Sequence, residues 1–181
     1  DCVEICELSM SNLLRQGKVD PEVFLSRADS LQKVGKTVLV SRLAEFYRIS
    51  AYLSRYTNEP VGISLSIGLL NELFKDKWSS HLSGGILESF GRLFKNDLQL
   101  YVYPWKNRKT GEMINASNFM PPKDLEHLYR FFQERGLVHD VECGDEDLLR
   151  YTGRDLKQFI ESGDPRWKDY VPPELHEIES R

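Results

Sequence analysis

Three short apolar runs constrain this fold more than any other feature of the sequence. They are Thr37-Val38-Leu39-Val40-Ser41, Val61 to Ile67, and Leu98 to Tyr103. Each is rich in β-branched, aliphatic or aromatic residues and sits beside breakers: Gly35-Lys36 before the first, Asn58-Glu59-Pro60 before the second, Pro104 after the third. Runs of this kind read as strands. Between them the apolar period becomes helical, at Leu43, Phe46, Tyr47, Ile49 and Leu53, and again at Ile86, Leu87, Phe90, Leu93 and Phe94. Strands joined by helix-length connections pair in parallel with right-handed crossovers. The expectation is an α/β fold: a small Rossmann-like three-layer unit of about three parallel strands with helices on both faces and a helical C-terminal extension.

The flanks divide the chain further. Residues 1–36 read as N-terminal helices packing on the core. The first carries Val3, Ile5, Leu8, Leu13 and Leu14 and stops near Gly17. The second opens at Asp20-Pro21, an N-cap followed by proline, and runs past Val23, Phe24, Leu31 and Val34 to Gly35. Residues 37–141 form the α/β core. Within it, 106–122 reads as a long polar loop with a turn at Lys109-Thr110-Gly111-Glu112, and Asp124 opens a helix through Leu128, Phe131 and Phe132. Residues 142–181 form a tail of short helices near 146–150, 154–162 and 173–180, broken at Gly163-Asp164-Pro165 and Pro172-Pro173.

Composition narrows the function classes. With 181 residues, 40% of them hydrophobic, the chain can bury a core without a disulfide or metal. A net charge of -4 gives no general field for nucleic acid or an anionic membrane. The three cysteines, Cys2, Cys6 and Cys143, form no disulfide framework, which points to a reducing compartment, the cytoplasm or an organellar matrix. No apolar run reaches the ~18 residues that span a bilayer. Cys2 and Cys6 lack further ligands at zinc spacing, and His81, His127, His139 and His176 are scattered, so no metal, cofactor or catalytic set is indicated. The chain starts at Asp1 and not at Met, and the expectation is that it is a processed product or part of something longer.

In open parallel sheets, ligands bind beyond the carboxyl ends of the strands. That rule selects Ser41 and Arg42 after the first strand, Ser66 and Gly68 after the second, and Tyr103 and Trp105 after the third. A hydroxyl, a guanidinium and an aromatic face there suit a phosphate and a stacked base. The alternative is helix capping by the serines. Ser83-Gly84-Gly85 precedes a helix, so Gly84 and Gly85 offer backbone N–H groups to an anion, or simply make a tight turn. Arg42, Arg48 and Arg55 with Tyr47, Tyr52 and Tyr56 make one helix basic and aromatic, which suits either nucleic acid or ordinary packing, and the acidic total favours packing. Trp167, Tyr170 and Val171 beside Pro172-Pro173 have the character of anchors that clamp the parent domain or a partner.

Longer strings carry a resemblance: Arg55 to Gly62 (RYTNEPVG), Gly84 to Phe94 (GGILESFGRLF), Leu100 to Pro104 (LYVYP) and Phe159 to Trp167 (FIESGDPRW). They resemble the C-terminal region of a family of longer, mostly bacterial proteins. Members carry labels such as nicotinate-nucleotide adenylyltransferase or TonB-dependent receptor. A receptor barrel does not suit this α/β pattern. The nucleotidyltransferase motif His-x-x-His is absent, so no catalytic residue carries over. The expected function is a non-catalytic α/β domain or accessory subunit in a larger assembly, partnered by another protein or by the rest of a longer chain. The alternative is a nucleotide- or phosphate-binding, nucleotidyltransferase-like enzyme with its site at the strand ends.

Overall fold

The computed structural model describes residues 2–10, 21–149 and 151–176. In chain order its elements are β1 (Ile5–Ser9), α1 (Pro21–Lys33), β2 (Thr37–Ser41), α2 (Phe46–Leu53), β3 (Gly62–Ser66), α3 (Ile67–Leu73), α4 (Gly85–Leu93), β4 (Gln99–Tyr103), β5 (Trp105–Lys106), β6 (Met113–Ile114), α5 (Glu126–Glu134), β7 (Val138–Asp140) and α6 (Gly153–Ser162). Short 3-10 turns lie at Asp76–Trp78, Lys123–Leu125, Glu146–Leu149, Pro165–Tyr170 and Pro173–Leu175. The chain divides into two compact units, residues 1–44 with 151–181, and residues 45–150.

In the first unit β1 and β2 pair in parallel, from Ile5 opposite Thr37 to Ser9 opposite Ser41. This corrects the helix expected over residues 1–16: Ile5–Ser9 is a strand. Val3, Ile5 and Leu8 satisfy a helical period and a strand about equally, and pairing with β2 decides between them. The expectations at Leu13, Leu14, Gly17 and Asp20 lie outside the described residues. α1 packs on β2 and reaches the Pro173–Leu175 turn, and α6 packs on the Pro165–Tyr170 turn. A capping box of Thr152 and Asp155 starts α6, and Gly163 in the left-handed region (φ 72) ends it. The tail helix expected over 173–180 is a 3-10 turn at Pro173–Leu175, and its remainder lies outside the described residues.

The second unit is built on a three-stranded parallel sheet in the order β3-β4-β7, flanked by helices. The α/β class and the parallel sheet are those expected from the sequence. Its membership differs, because Thr37–Ser41 pairs with β1 and the third strand is Val138–Asp140. β7 is too short to show a period, and backbone bonds extend its pairing: Leu100 N–H donates to Leu137 O, and Val141 N–H to Val102 O, each at 2.9 Å. The loop expected over 106–122 contains a small antiparallel hairpin, with Trp105 opposite Ile114.

Leu65, Leu100, Val102 and Val138 form the buried side of the sheet. Against it pack Leu70 and Phe74 after β3, Phe90 and Leu93 of α4, and Tyr129 and Phe132 of α5. The ring of Phe74 lies 5.1 Å from Phe90 and edge-on to Tyr129 at 5.7 Å. Burial desolvates the Tyr129 phenol and pushes its pKa up, while its hydroxyl donates to Ala116 O at 2.7 Å. Truncating a leucine such as Leu100, which has no exposed surface, typically costs about 2–5 kcal/mol.

Candidate functional site

The second unit carries a cleft between α2 and α4. Its cause is local. α2 turns Tyr47 and Ser50 inward. The Ser50 hydroxyl donates to Leu93 O at 3.2 Å and so ties the helix to the end of α4. Ser54 donates to Ser50 O at 2.7 Å, and Asn96 Nδ2 donates to Ser54 Oγ at 2.8 Å. Asn96 (φ 61) and Asp97 (φ 55) both occupy the left-handed region, which Asn and Asp tolerate better than most residues. That sharp turn brings the chain after α4 back toward the end of α2. Between these ties an open space of about 600 Å³ remains.

Its walls are cationic. Arg48 and Arg55 come from one side, Arg92 and Lys95 from the other, and no carboxylate is among the lining residues. At one end the buried Tyr47 hydroxyl meets His81 Nε2 at 2.9 Å, and Arg48 Nε donates to the same hydroxyl at 3.4 Å. The Arg48 and Arg92 guanidinium carbons lie 6.0 and 5.8 Å from the Tyr47 ring centroid. Each is braced from outside the lining: Arg48 by Glu45 at 3.3 Å, Arg92 by Glu88 at 2.6 Å. The Tyr47 hydroxyl, and then Glu45, push the Arg48 guanidinium further above its already high ordinary pKa. Arg55 and Lys95 make no ion pair among the described residues. Such a cleft can hold an anion by charge-assisted hydrogen bonds.

The residues expected at the strand ends are differently employed. Ser41 belongs to the first unit, where its hydroxyl bonds Glu7 Oε1 and accepts from Leu43 N–H at 3.0 Å. Burial raises the Glu7 carboxyl above its ordinary pKa, and the Ser41 hydroxyl opposes that rise. Arg42 follows, exposed, in the same unit. In the second unit Ser66 is both the last residue of β3 and the N-cap of α3, accepting from Leu69 N–H at 3.2 Å. Gly68 lies exposed in the first turn of that helix. Tyr103, opposite Ser66 in the register, is 44% exposed, and Trp105 opens the hairpin.

Gly84 and Gly85 do start α4, but an anion from within already sits there. Gly84 N–H donates to Glu88 Oε2 at 2.8 Å, and that bond, then Arg92, holds the Glu88 carboxyl below its ordinary range. A side chain at position 84 would strike Glu88 Cβ at 2.9 Å, and Gly85 takes a positive φ of 55. In the tail, Trp167 is buried and edge-on to His176 at 5.2 Å, Tyr170 is edge-on to Tyr151 at 5.1 Å, and Val171 O meets His176 Nε2 at 2.9 Å. These three residues clamp their own unit.

Of the basic-aromatic helix singled out in the sequence, Tyr47, Arg48 and Arg55 line the cleft. Tyr52 and Tyr56 instead face each other with ring centroids 5.1 Å apart. The opposite wall, Arg92, Lys95 and Asn96, was not anticipated. The seven-residue spacing of Arg48 and Arg55 was the available signal, since it puts both on one face of a helix expected to run to about Arg55; α2 itself ends at Leu53, and Arg55 follows in a turn. No cluster of three or more metal-ligating side chains occurs among the described residues, and no helix among them is long and apolar enough to cross a membrane. No family model, curated protein or solved structure matches the chain.

Proposed function

We propose that this chain is a non-catalytic binding domain, whose second unit takes a small phosphorylated molecule in the cleft between α2 and α4. The domain works within a larger assembly or longer chain, in a reducing compartment. One observation carries the binding reading: four cationic side chains surround one cleft with no carboxylate on its lining, in a protein of net charge -4. Grouping like charges opposes folding through self-repulsion, and a bound anion removes that cost. The assembly rests on the likeness of the strings quoted above to the C-terminal region of longer proteins. The compartment rests on Cys2, Cys6 and Cys143 being free thiols.

Calorimetric titration with inorganic pyrophosphate at low salt tests the reading. One site is expected, weakening steadily as salt is raised, because screening acts on an open cleft. Arg92→Gln should weaken it about tenfold, or about 1.4 kcal/mol, the scale of one charge-assisted hydrogen bond. Absence of binding by pyrophosphate and by a panel of phosphorylated metabolites at millimolar concentration would sink it.

A further inference from the structure

We infer that the ligand of this cleft carries two separated anionic groups, as a sugar bisphosphate does. The inference rests on the anion-binding reading above and adds the ligand's class. The cationic side chains fall into two loci. Arg48 and Arg92 converge on the Tyr47 ring, at 6.0 and 5.8 Å from its centroid. Arg55 and Lys95 are the chain neighbours of Ser54 and Asn96, which the 2.8 Å bond between Asn96 Nδ2 and Ser54 Oγ draws together.

Arg48 lies in the first turn of α2 and Arg55 lies just past its last residue, Leu53, so the two loci sit at opposite ends of that helix. A single phosphate reaches donors only at hydrogen-bond distance, about 3 Å. It therefore serves one locus and leaves the other uncompensated. The two loci also differ in kind. The first is braced by Glu45 and Glu88, which orient the guanidinium groups and offset part of their charge. The second has no carboxylate partner among the described residues. Ala51, which falls between Arg48 and Arg55 in the chain, also lines the cleft and is small enough to leave room for an uncharged spacer. The volume of about 600 Å³ is that of a metabolite site and far exceeds a lone ion.

The test uses fructose 6-phosphate and fructose 1,6-bisphosphate as probes, titrated by calorimetry at fixed salt. The bisphosphate should bind at least about 30-fold tighter than the monophosphate, because it engages a second pair of charge-assisted bonds. That advantage should vanish in Arg55→Gln/Lys95→Gln and equally in Arg48→Gln/Arg92→Gln. Circular dichroism confirms that each variant keeps the wild-type fold. Equal affinity for the two probes overturns the two-ended ligand while leaving the anion-binding reading standing. So does an advantage that survives both double variants. Tighter binding of a six-nucleotide single strand than of the bisphosphate also overturns it, by making the occupant a nucleic acid. Failure of both probes and of pyrophosphate removes the reading and the inference together.

Discussion

At the carboxyl ends of β3 and at the start of α4, the chain supplies its own partners. Ser66 accepts the Leu69 N–H, and Glu88 accepts the Gly84 N–H while holding Arg92. A few residues away, in the cleft between α2 and α4, Arg55 and Lys95 meet no carboxylate among the described residues. The first region looks like a ligand site by position and is filled by capping. The second carries no positional signature and is left with uncompensated charge. Polar groups that satisfy one another stabilise the fold and are silent toward ligands, whereas charges held together without a counter-ion cost stability until one arrives. Leftover charge is therefore a better guide to a site here than the general rule for strand ends.

The sharpest break between the two regions is to remove that leftover charge. Arg55→Gln/Lys95→Gln should cost the cleft about 100-fold in affinity for a bisphosphate, or about 2.7 kcal/mol. Its melting temperature should stay level or rise slightly, since two repelling cations are gone. Calorimetric titration paired with a thermal melt reads both quantities, and a large fall in melting temperature would show that these side chains serve the fold. Ser66→Ala is the mirror experiment. Loss of the N-cap should cost about 1 kcal/mol of stability, a fall of several degrees in melting temperature, with affinity unchanged within about twofold. A loss of binding as large as that of the cleft variant would return the site to the strand ends.

How much of this was legible in the sequence depended on whether the signal was local. Thr37–Ser41, Gly62–Ser66 and Gln99–Tyr103 were visible because each is a short apolar run between breakers. β1 was not, because Val3, Ile5 and Leu8 suit a helix as well, and only β2, some thirty residues on, settles the choice. β7 was not, because three residues show no period. The site followed the same division. Arg48 and Arg55 stood out on one helix, but nothing local links them to Arg92, Lys95 and Asn96, which reach the cleft only once α4 packs on α2 and Ser50 bonds Leu93. The serine and glycine positions were chosen as ligand residues because they sit at strand and helix ends, where Ser66 caps α3 and Gly84 precedes α4. Junctions need capping residues whether or not they bind anything.

Glu72 offers the smallest and most discriminating contrast, because there the same chemistry is closed within the fold. Its carboxylate gathers Lys75, Lys77 at 2.7 Å and the Trp78 Nε1 donor at 3.3 Å. Bonds from Lys75 and then Lys77 lower its pKa from 4.5 to about 2. A depressed folded-state pKa contributes stability at pH values above 4.5 that is lost as pH falls toward 2. The carboxylate is 30% exposed, so solvent screening reduces its contribution to about 0.5 kcal/mol. Glu72→Gln should therefore lower the unfolding free energy by that amount at pH 7, with the gap from wild type closing between about pH 4.5 and 2, as urea titrations across pH would read. A gap independent of pH would mean that the glutamate acts by packing and not by charge. For the cleft the corresponding anion comes from outside. Saturating bisphosphate should raise the melting temperature of Glu72→Gln and of wild type alike, and should leave Arg55→Gln/Lys95→Gln nearly unmoved.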